Sequence, residues 1–405
     1  MRTGLIDLEP LRTPAFRAAW IGGTAHGFGH QAATVAVLQQ TWDLTRSPLW
    51  TGALGVATAV PMILVGPVGG VLADAVDRRV LIRLASAVQL FVAFALVAQM
   101  VSGVASVALL FGLVALLAAG TGLGAGARRT LPVRLLPTAQ VPAGIALTVV
   151  SFQVSMLAGP AAAGALIAIW SPAAGYGLLV AMTAIALLAT TWLPALPVGD
   201  AGTGRAPAGG WAFLLRRRTL RGSFATDLAA CLLAFPVSLF PLVNELRYGG
   251  DPRVLGAFLS ALAVGGLIVG LFSGALTRIR RAGVVQLVAA GTWGLAVAGF
   301  GTAGSLWAAL ACLVVAGAAD SASVMVRGAL VQMETPDVYR GRVSSAEIVV
   351  GIAGPELGNL RGGLVAALVS GPFALVSGGL AATAVVGWVA LRNRALREYT
   401  LPGRS

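Results

Sequence analysis

Two histidines, His26 and His30, stand four residues apart in an otherwise apolar and small-residue stretch. On a helix that spacing puts both rings on one face. Imidazole changes charge near physiological pH, so the pair suits a proton relay or a substrate contact. It equally suits two packing hydrogen bonds among Gly22, Gly23, Gly27 and Gly29. Further along, Asp227 and Asp320 fall inside apolar runs, Asp320 about two helical turns before Arg327. Each acid can bind a cation, carry a proton or pair with an arginine. Glu356 sits in the stretch GIAGPELGNLRGG, between apolar flanks. There a carboxylate is exposed to two opposed pressures. Desolvation penalises its charge, and a nearby cation restores it. That competition is what proton-coupled exchange needs, and it makes Glu356 the leading candidate. Asn359, three residues on, shares its face. Arg361 is five residues on, about 140° around a helix axis, so the two charges do not pair naturally on one helix. No Cys or carboxylate gathers near the histidines, and no metal site is expected. Cys231 and Cys312 read as packing thiols inside spans.

The elements that must position these residues follow from composition. Of 405 residues 57% are hydrophobic and 11% charged, against about 25% charged in soluble domains. Mean hydropathy is +0.87. Apolar runs of about 20 residues, the length a bilayer requires, recur throughout. Twelve spans are expected, near 16–41, 49–73, 80–101, 105–127, 142–169, 174–194, 221–245, 253–276, 283–302, 305–328, 343–369 and 372–391. The first is expected to stay in the mature chain, because no cleavable signal pattern precedes it. The longest connector includes AGTGRAPAGG, 201–210. It suggests an N-terminal bundle of six helices (1–196), a central loop (197–220) and a C-terminal bundle (221–405).

All 28 basic residues are Arg, and no Lys occurs. A Walker A phosphate loop and a retinal-type Schiff base both need Lys, so neither is available. With both termini placed inside, the inside segments and the span ends next to them hold 24 of the 28 arginines, Arg46, Arg247 and Arg253 lie outside, and Arg361 lies deep within a span. This positive-inside bias sets the expected topology. It also accounts for the net charge of +13, since basic loops face anionic headgroups. The partner is therefore a lipid bilayer and not nucleic acid.

The halves resemble each other at an offset near 200. TPAFRAAW (13–20) is echoed by RRTLRGSF (217–224), GGVLADAVDRR (69–79) by SGALTRIRR (273–281), and Gly159-Pro160 by Gly354-Pro355. Such repeats mark two-bundle transporters. Proline removes a helix hydrogen bond, so both Gly-Pro pairs are expected kink points.

Gly70, Leu72, Asp74, Arg78 and Arg79 match the signature loop of the major facilitator superfamily, and the chain is identified as a member of it. Ala75 and Asp77 depart from that pattern, where a basic residue and a Gly are usual. SMLAGPAAAG (155–164) resembles the Gly-Pro motif of antiporters in the superfamily. Together with TPDVYRGRV (335–343), the pattern is similar to the enterobactin-exporter and drug-proton antiporter group. The resemblance implies an all-α fold of twelve transmembrane helices in two bundles, alternating access, and a cavity lined by helices 1, 4, 7 and 10. It also implies a conformational latch at Gly70, Asp74, Arg78 and Arg79. The second copy carries Arg278 at the Asp position and is not expected to latch the same way. The group's mid-membrane basic residue in helix 4 is missing before Arg128, and the first half has no buried acid. Proton coupling would then run through His26 and His30 or through the C-terminal half.

The expected protein is not an enzyme and needs no cofactor. It is a monomeric exporter of a small amphipathic molecule, a drug, secondary metabolite or siderophore, in a bacterial plasma membrane with protons as coupling ion. A nutrient importer on the same fold, or a non-transporting sensor, are the other readings.

Overall fold

The computed structural model describes residues 7–196, 210–272 and 281–400. Among these residues the long elements are all helices, and no strand occurs. They are α1 (Pro14–Thr45), α2 (Pro48–Ala75), α3 (Arg78–Val101), α4 (Val107–Leu135), α5 (Val141–Ile169) and α6 (Pro172–Ala189). Then come α7a (Arg218–Ala234), α7b (Phe240–Tyr248), α8 (Pro252–Leu271), α9 (Ala282–Thr302), α10 (Leu306–Glu334), α11 (Asp337–Leu368) and α12 (Gly371–Arg392). With α7a and α7b taken as one span there are twelve. Ten of them are long and apolar enough to cross a membrane. The other two, α1 and α11, carry the polar residues discussed above, and those residues lower their hydropathy. Most of the central loop, 197–209, and the second signature copy with Arg278 lie outside the described residues.

Two departures from the expected spans bear on the site. The fourth span was expected to stop at 127, before the Arg128-Arg129 pair. Instead α4 continues to Leu135, because the Arg128 guanidinium finds polar partners inside the helix bundle. The seventh span was expected to be continuous. It breaks after Ala234, where Phe235 adopts φ −83° and ψ 118°. A residue before proline is pushed toward extended backbone, and Pro236 follows. A 3-10 turn, Val237–Leu239, carries the chain into α7b.

The chain packs as two compact units. The first comprises Met1–Thr45, Ala57–Gly202 and Asp251–Ser260. The second comprises Arg46–Val56, Thr203–Gly250 and Ala261–Ser405. The units therefore differ from the two halves of the sequence by one segment each.

In the first unit the start of α8 rests on α5. A Cβ on Gly256 or Gly164 would run into the carbonyls of Pro160 or Pro252, and Ser260 Oγ donates to the Leu157 carbonyl at 2.7 Å. In the second unit the start of α2 rests on α11. A Cβ on Gly52 would lie 2.6 Å from the Asn359 carbonyl, and one on Gly55 2.6 Å from that of Glu356. Small residues at such crossings let backbones approach without a hydrophobic driving force, which lipid does not supply. Gly159 meets Gln31 and Phe28 of α1 in the same way. Pro160 and Pro355 lie inside helices assigned without interruption.

Candidate functional site

In the first unit, α1 presents three faces. Gly22 and Gly29 pack against Ala189 and Met182 of the α6 region. Gly27 meets Ser155 of α5, and Trp20 Nε1 donates to Leu147 of α5 at 3.2 Å. Between those faces lie Gly23, His26 and His30. The two imidazole centroids are 6.4 Å apart with planes inclined by 26°. Arg128 of α4 reaches this face, its Nη1 3.3 Å from His26 Nε2. Its Nη2 donates to Ser86 Oγ at 3.2 Å and to Gln89 Oε1 at 3.4 Å, both on α3. Guanidinium has no acceptor. The contact is a hydrogen bond only when His26 Nε2 keeps its lone pair. A proton there would set two cations against each other.

In the second unit, Asp227 and Arg327 form an ion pair, and both are buried. Arg327 Nε also meets Glu347 Oε1 of α11 at 3.4 Å. Asp320 is at the middle of α10, seven residues or about 10 Å along the axis from Arg327. It is exposed, and it lies within electrostatic reach of Asp227 and Arg327. Among the described residues no hydrogen bond or ion pair ties it down. Glu356 is therefore not alone among acids at mid-span.

Sequence reading overlooked Arg128, Arg327 and Glu347 as site residues. The repeat carries the signal that finds the arginines. Arg128 and Arg327 differ by 199 positions, and His26 and Asp227 by 201. Each half thus places a polar residue of its first helix against an arginine of its fourth.

The stretch around Glu356 repairs the broken seventh span. A helix end leaves unpaired carbonyls, and a restart leaves unpaired N–H groups. Within a membrane a neighbouring helix must satisfy them. Arg361 Nη1 donates to the Leu233 carbonyl at the end of α7a. The Ser238 N–H donates to Asn359 Oδ1 at 3.0 Å, and Ser238 Oγ donates to the Asn359 carbonyl at 2.9 Å. Asn359 Nδ2 in turn donates to Glu356 Oε2 at 3.0 Å, which orients the amide. Gly354 and Gly358 bring α11 close to Cys231 of α7a, and Gly378 of α12 leaves room for the Arg361 bond. Glu356 faces Gly55 at the start of α2 while Arg361 faces α7a, so the two charges serve different surfaces of α11.

At the signature loop, Asp74 is exposed and meets Arg78 at 3.3 Å. Gly69 lies against Leu123 of α4, and the Cα of Gly70 lies against Gly126. Asp77 caps α3 by accepting from the Arg79 N–H at 2.8 Å. The same oxygen accepts from the Leu196 N–H at 3.2 Å, tying the end of the α6 region to α3. Arg79 Nη1 donates to the Leu193 carbonyl at 3.2 Å. Asp77→Ala is expected to cost about 0.5–2 kcal/mol, the range of a lost N-cap. Hydrogen exchange at the first turn of α3 should rise. Unchanged protection there would contradict this role.

No cluster of metal-ligating side chains occurs among the described residues. An apolar groove between α9 and α10, with Val284, Val288, Val315 and Ala322 in its walls, contains none of the polar groups above. Val288 and Val315 are exposed along it, a surface suited to lipid chains.

Buried ionisable groups on a scaffold of helices, ten of them long and apolar enough to cross a membrane, define a membrane transporter. The chain belongs to the major-facilitator family described as transmembrane secretion effector, which it matches over residues 6–400. It is 28% identical to the enterobactin exporter EntS of Shigella dysenteriae serotype 1 over 382 residues, 92% of this chain and 91% of the relative. To EntS of Salmonella typhi it is 27% identical over 385 residues, 92% and 91% of the two chains.

Solved structures share the fold. The nucleoside transporter NupG superposes with a TM-score of 0.72 at 15% identity, covering 95% of this chain and 100% of the other. A bacterial homologue of the iron transporter ferroportin gives 0.70 at 17%, covering 96% and 99%. The chain is therefore a transporter and not an enzyme, with a small molecule as substrate and a bilayer as its environment.

Proposed function

We propose that this transporter exports a small amphipathic molecule from a bacterial cell by alternating access, driven by protons. The observation that carries export is the match to a secretion family over nearly the whole chain. The relatives named as enterobactin exporters support the same direction and a siderophore-like or metabolite substrate. The arginine distribution supports both termini in the cytoplasm of a plasma-membrane protein.

For proton coupling, Asp320 has the geometry a carrier needs. It is a carboxylate at mid-span with an accessible side chain, makes no hydrogen bond among the described residues, and lies near the Asp227–Arg327 pair. Glu356 is engaged by Asn359 and packed on Gly55, so it ranks second. His26 and His30 supply a further titratable pair in the first unit. The exposed Asp74, with Arg78 and Arg79 behind it, suits the conformational latch of the superfamily.

Export is tested with everted membrane vesicles carrying the chain. A panel of amphipathic dyes and metabolites is supplied under an imposed pH gradient. Accumulation above vesicles lacking the chain is expected for at least one compound. Well-folded protein that accumulates none of them, while cells grow on an external solute only when the chain is present, favours import instead.

A further inference from the structure

We infer that the substrate is an organic anion and that Arg128 holds its negative group, with His26 and His30 beside it. This rests on the transporter reading above and names the chemistry of its cargo.

Among the described residues the hydrogen-bond partners of Arg128 are His26 Nε2, Ser86 Oγ and Gln89 Oε1, none of them a carboxylate. Among the described residues it forms no ion pair with a carboxylate of the first unit. Asp43 is thirteen residues beyond His30 on α1, about 20 Å along the axis, where Gln39 donates to it. Asp77 is nine residues before Ser86 on α3, about 13 Å, and is occupied by the Arg79 and Leu196 N–H groups. Glu9 receives Gln140, and Asp74 meets Arg78. The second unit shows what a balanced version looks like. Arg327, the repeat counterpart of Arg128, has both Asp227 and Glu347. In the second half a carboxylate of the first helix, Asp227, meets the arginine of the fourth; in the first half an imidazole, His26, meets it.

A half-buried cation inside a membrane span without a counter-charge is costly, and an ionisable group in a span marks a functional site by default. The surroundings are built to hold this one. A Cβ on Gly124 would come within 2.7 Å of Arg128 Nη1, and one on Gly120 within 2.9 Å of Gln89 Cγ. Glycine at both positions leaves the space that the two side chains occupy. On the opposite wall nothing lies within 4 Å of a Cβ at Gly23, one turn from His26, so the face has room beside the imidazoles. A planar fork of donors matches a carboxylate, catecholate or sulfonate, and stacked imidazoles suit an aromatic body next to it.

The test uses the full chain in lipid nanodiscs and two probes of one shape, 1-naphthoate and 1-naphthylmethylammonium, with binding read by equilibrium dialysis. Naphthoate is expected to bind at least about tenfold more tightly than the ammonium. Arg128→Gln should weaken naphthoate by about tenfold to a hundredfold, the scale of one charge-assisted hydrogen-bond set. Arg128→Lys, which keeps the charge and loses the fork, should retain part of the affinity and controls for folding. Equal binding of the two probes, binding of neither, or naphthoate binding unaffected by Arg128→Gln would each overturn the inference. If vesicles still accumulate other compounds in that case, the exporter reading stands without it. If naphthoate binds as stated but nothing is moved, the exporter reading fails and the anion site stands.

Discussion

Asp227→Asn is expected to destabilise the protein by about 3–5 kcal/mol, the cost of leaving a buried charge without its partner. Arg327 is 5% exposed and Asp227 7%, so water cannot replace the lost carboxylate. Glu347 remains, but only through Arg327 Nε at 3.4 Å, and it does not reach the side that Asp227 serves. The loss should appear as a lower thermal midpoint in detergent and weaker protection of α7a and α10 in hydrogen exchange. The double variant Asp227→Asn with Arg327→Gln removes both charges and is expected to recover most of the stability, because desolvation then falls on neutral amides. A double variant as unstable as the single one would show that the pair does not set this cost.

Asp320→Asn is expected to leave folding intact and abolish gradient-driven accumulation. The side chain makes no hydrogen bond among the described residues, so an isosteric amide breaks none. It removes the capacity to take up and release a proton, and with it a charge within reach of Asp227 and Arg327. One pH unit supplies about 1.4 kcal/mol per proton, enough for about tenfold accumulation with one proton per cycle. The variant's accumulation ratio should fall to about one, while exchange of substrate across vesicles at equal pH continues. Glu356→Gln acts differently. It changes the oxygen that orients Asn359 and should show as lost stability around α7b more than as lost coupling.

Much of the fold was legible from sequence because membrane spans are written in long apolar runs and arginine placement. Site geometry was legible only in part. His26 and His30 could be assigned a shared face from their spacing, and Glu356 and Arg361 different faces from theirs. What those faces meet depends on helix packing, which periodicity does not contain. Arg128 shows the difficulty most clearly. Beside Arg129, near the end of an apolar run, it has the pattern of a loop residue. Only the packing of α4 on α1 and α3 brings it to His26, Ser86 and Gln89. The role of Asn359 and Arg361 was hidden for a related reason. It depends on the break at Phe235-Pro236, more than 120 residues earlier in the chain. Asp77 departs from the loop pattern; its capping of α3 is local, and its hold on Leu196 is a tertiary contact that no local motif announces. The repeat was the unused resource. Laid over the charged residues at its offset of about 200, it brings Arg128 to Arg327 and Asp227 to within one helical turn of His26.

The central claim is that transport and proton movement are one process. Its most direct test is proton flux evoked by substrate. Everted vesicles carrying the chain are acidified inside, the interior pH is followed with a quenched amine dye, and compounds that the vesicles accumulate are added one at a time. Each transported compound should discharge the gradient with wild-type protein and leave it intact with Asp320→Asn. Accumulation of a compound by wild-type vesicles with no accompanying discharge, or equal discharge by the variant, would contradict the account.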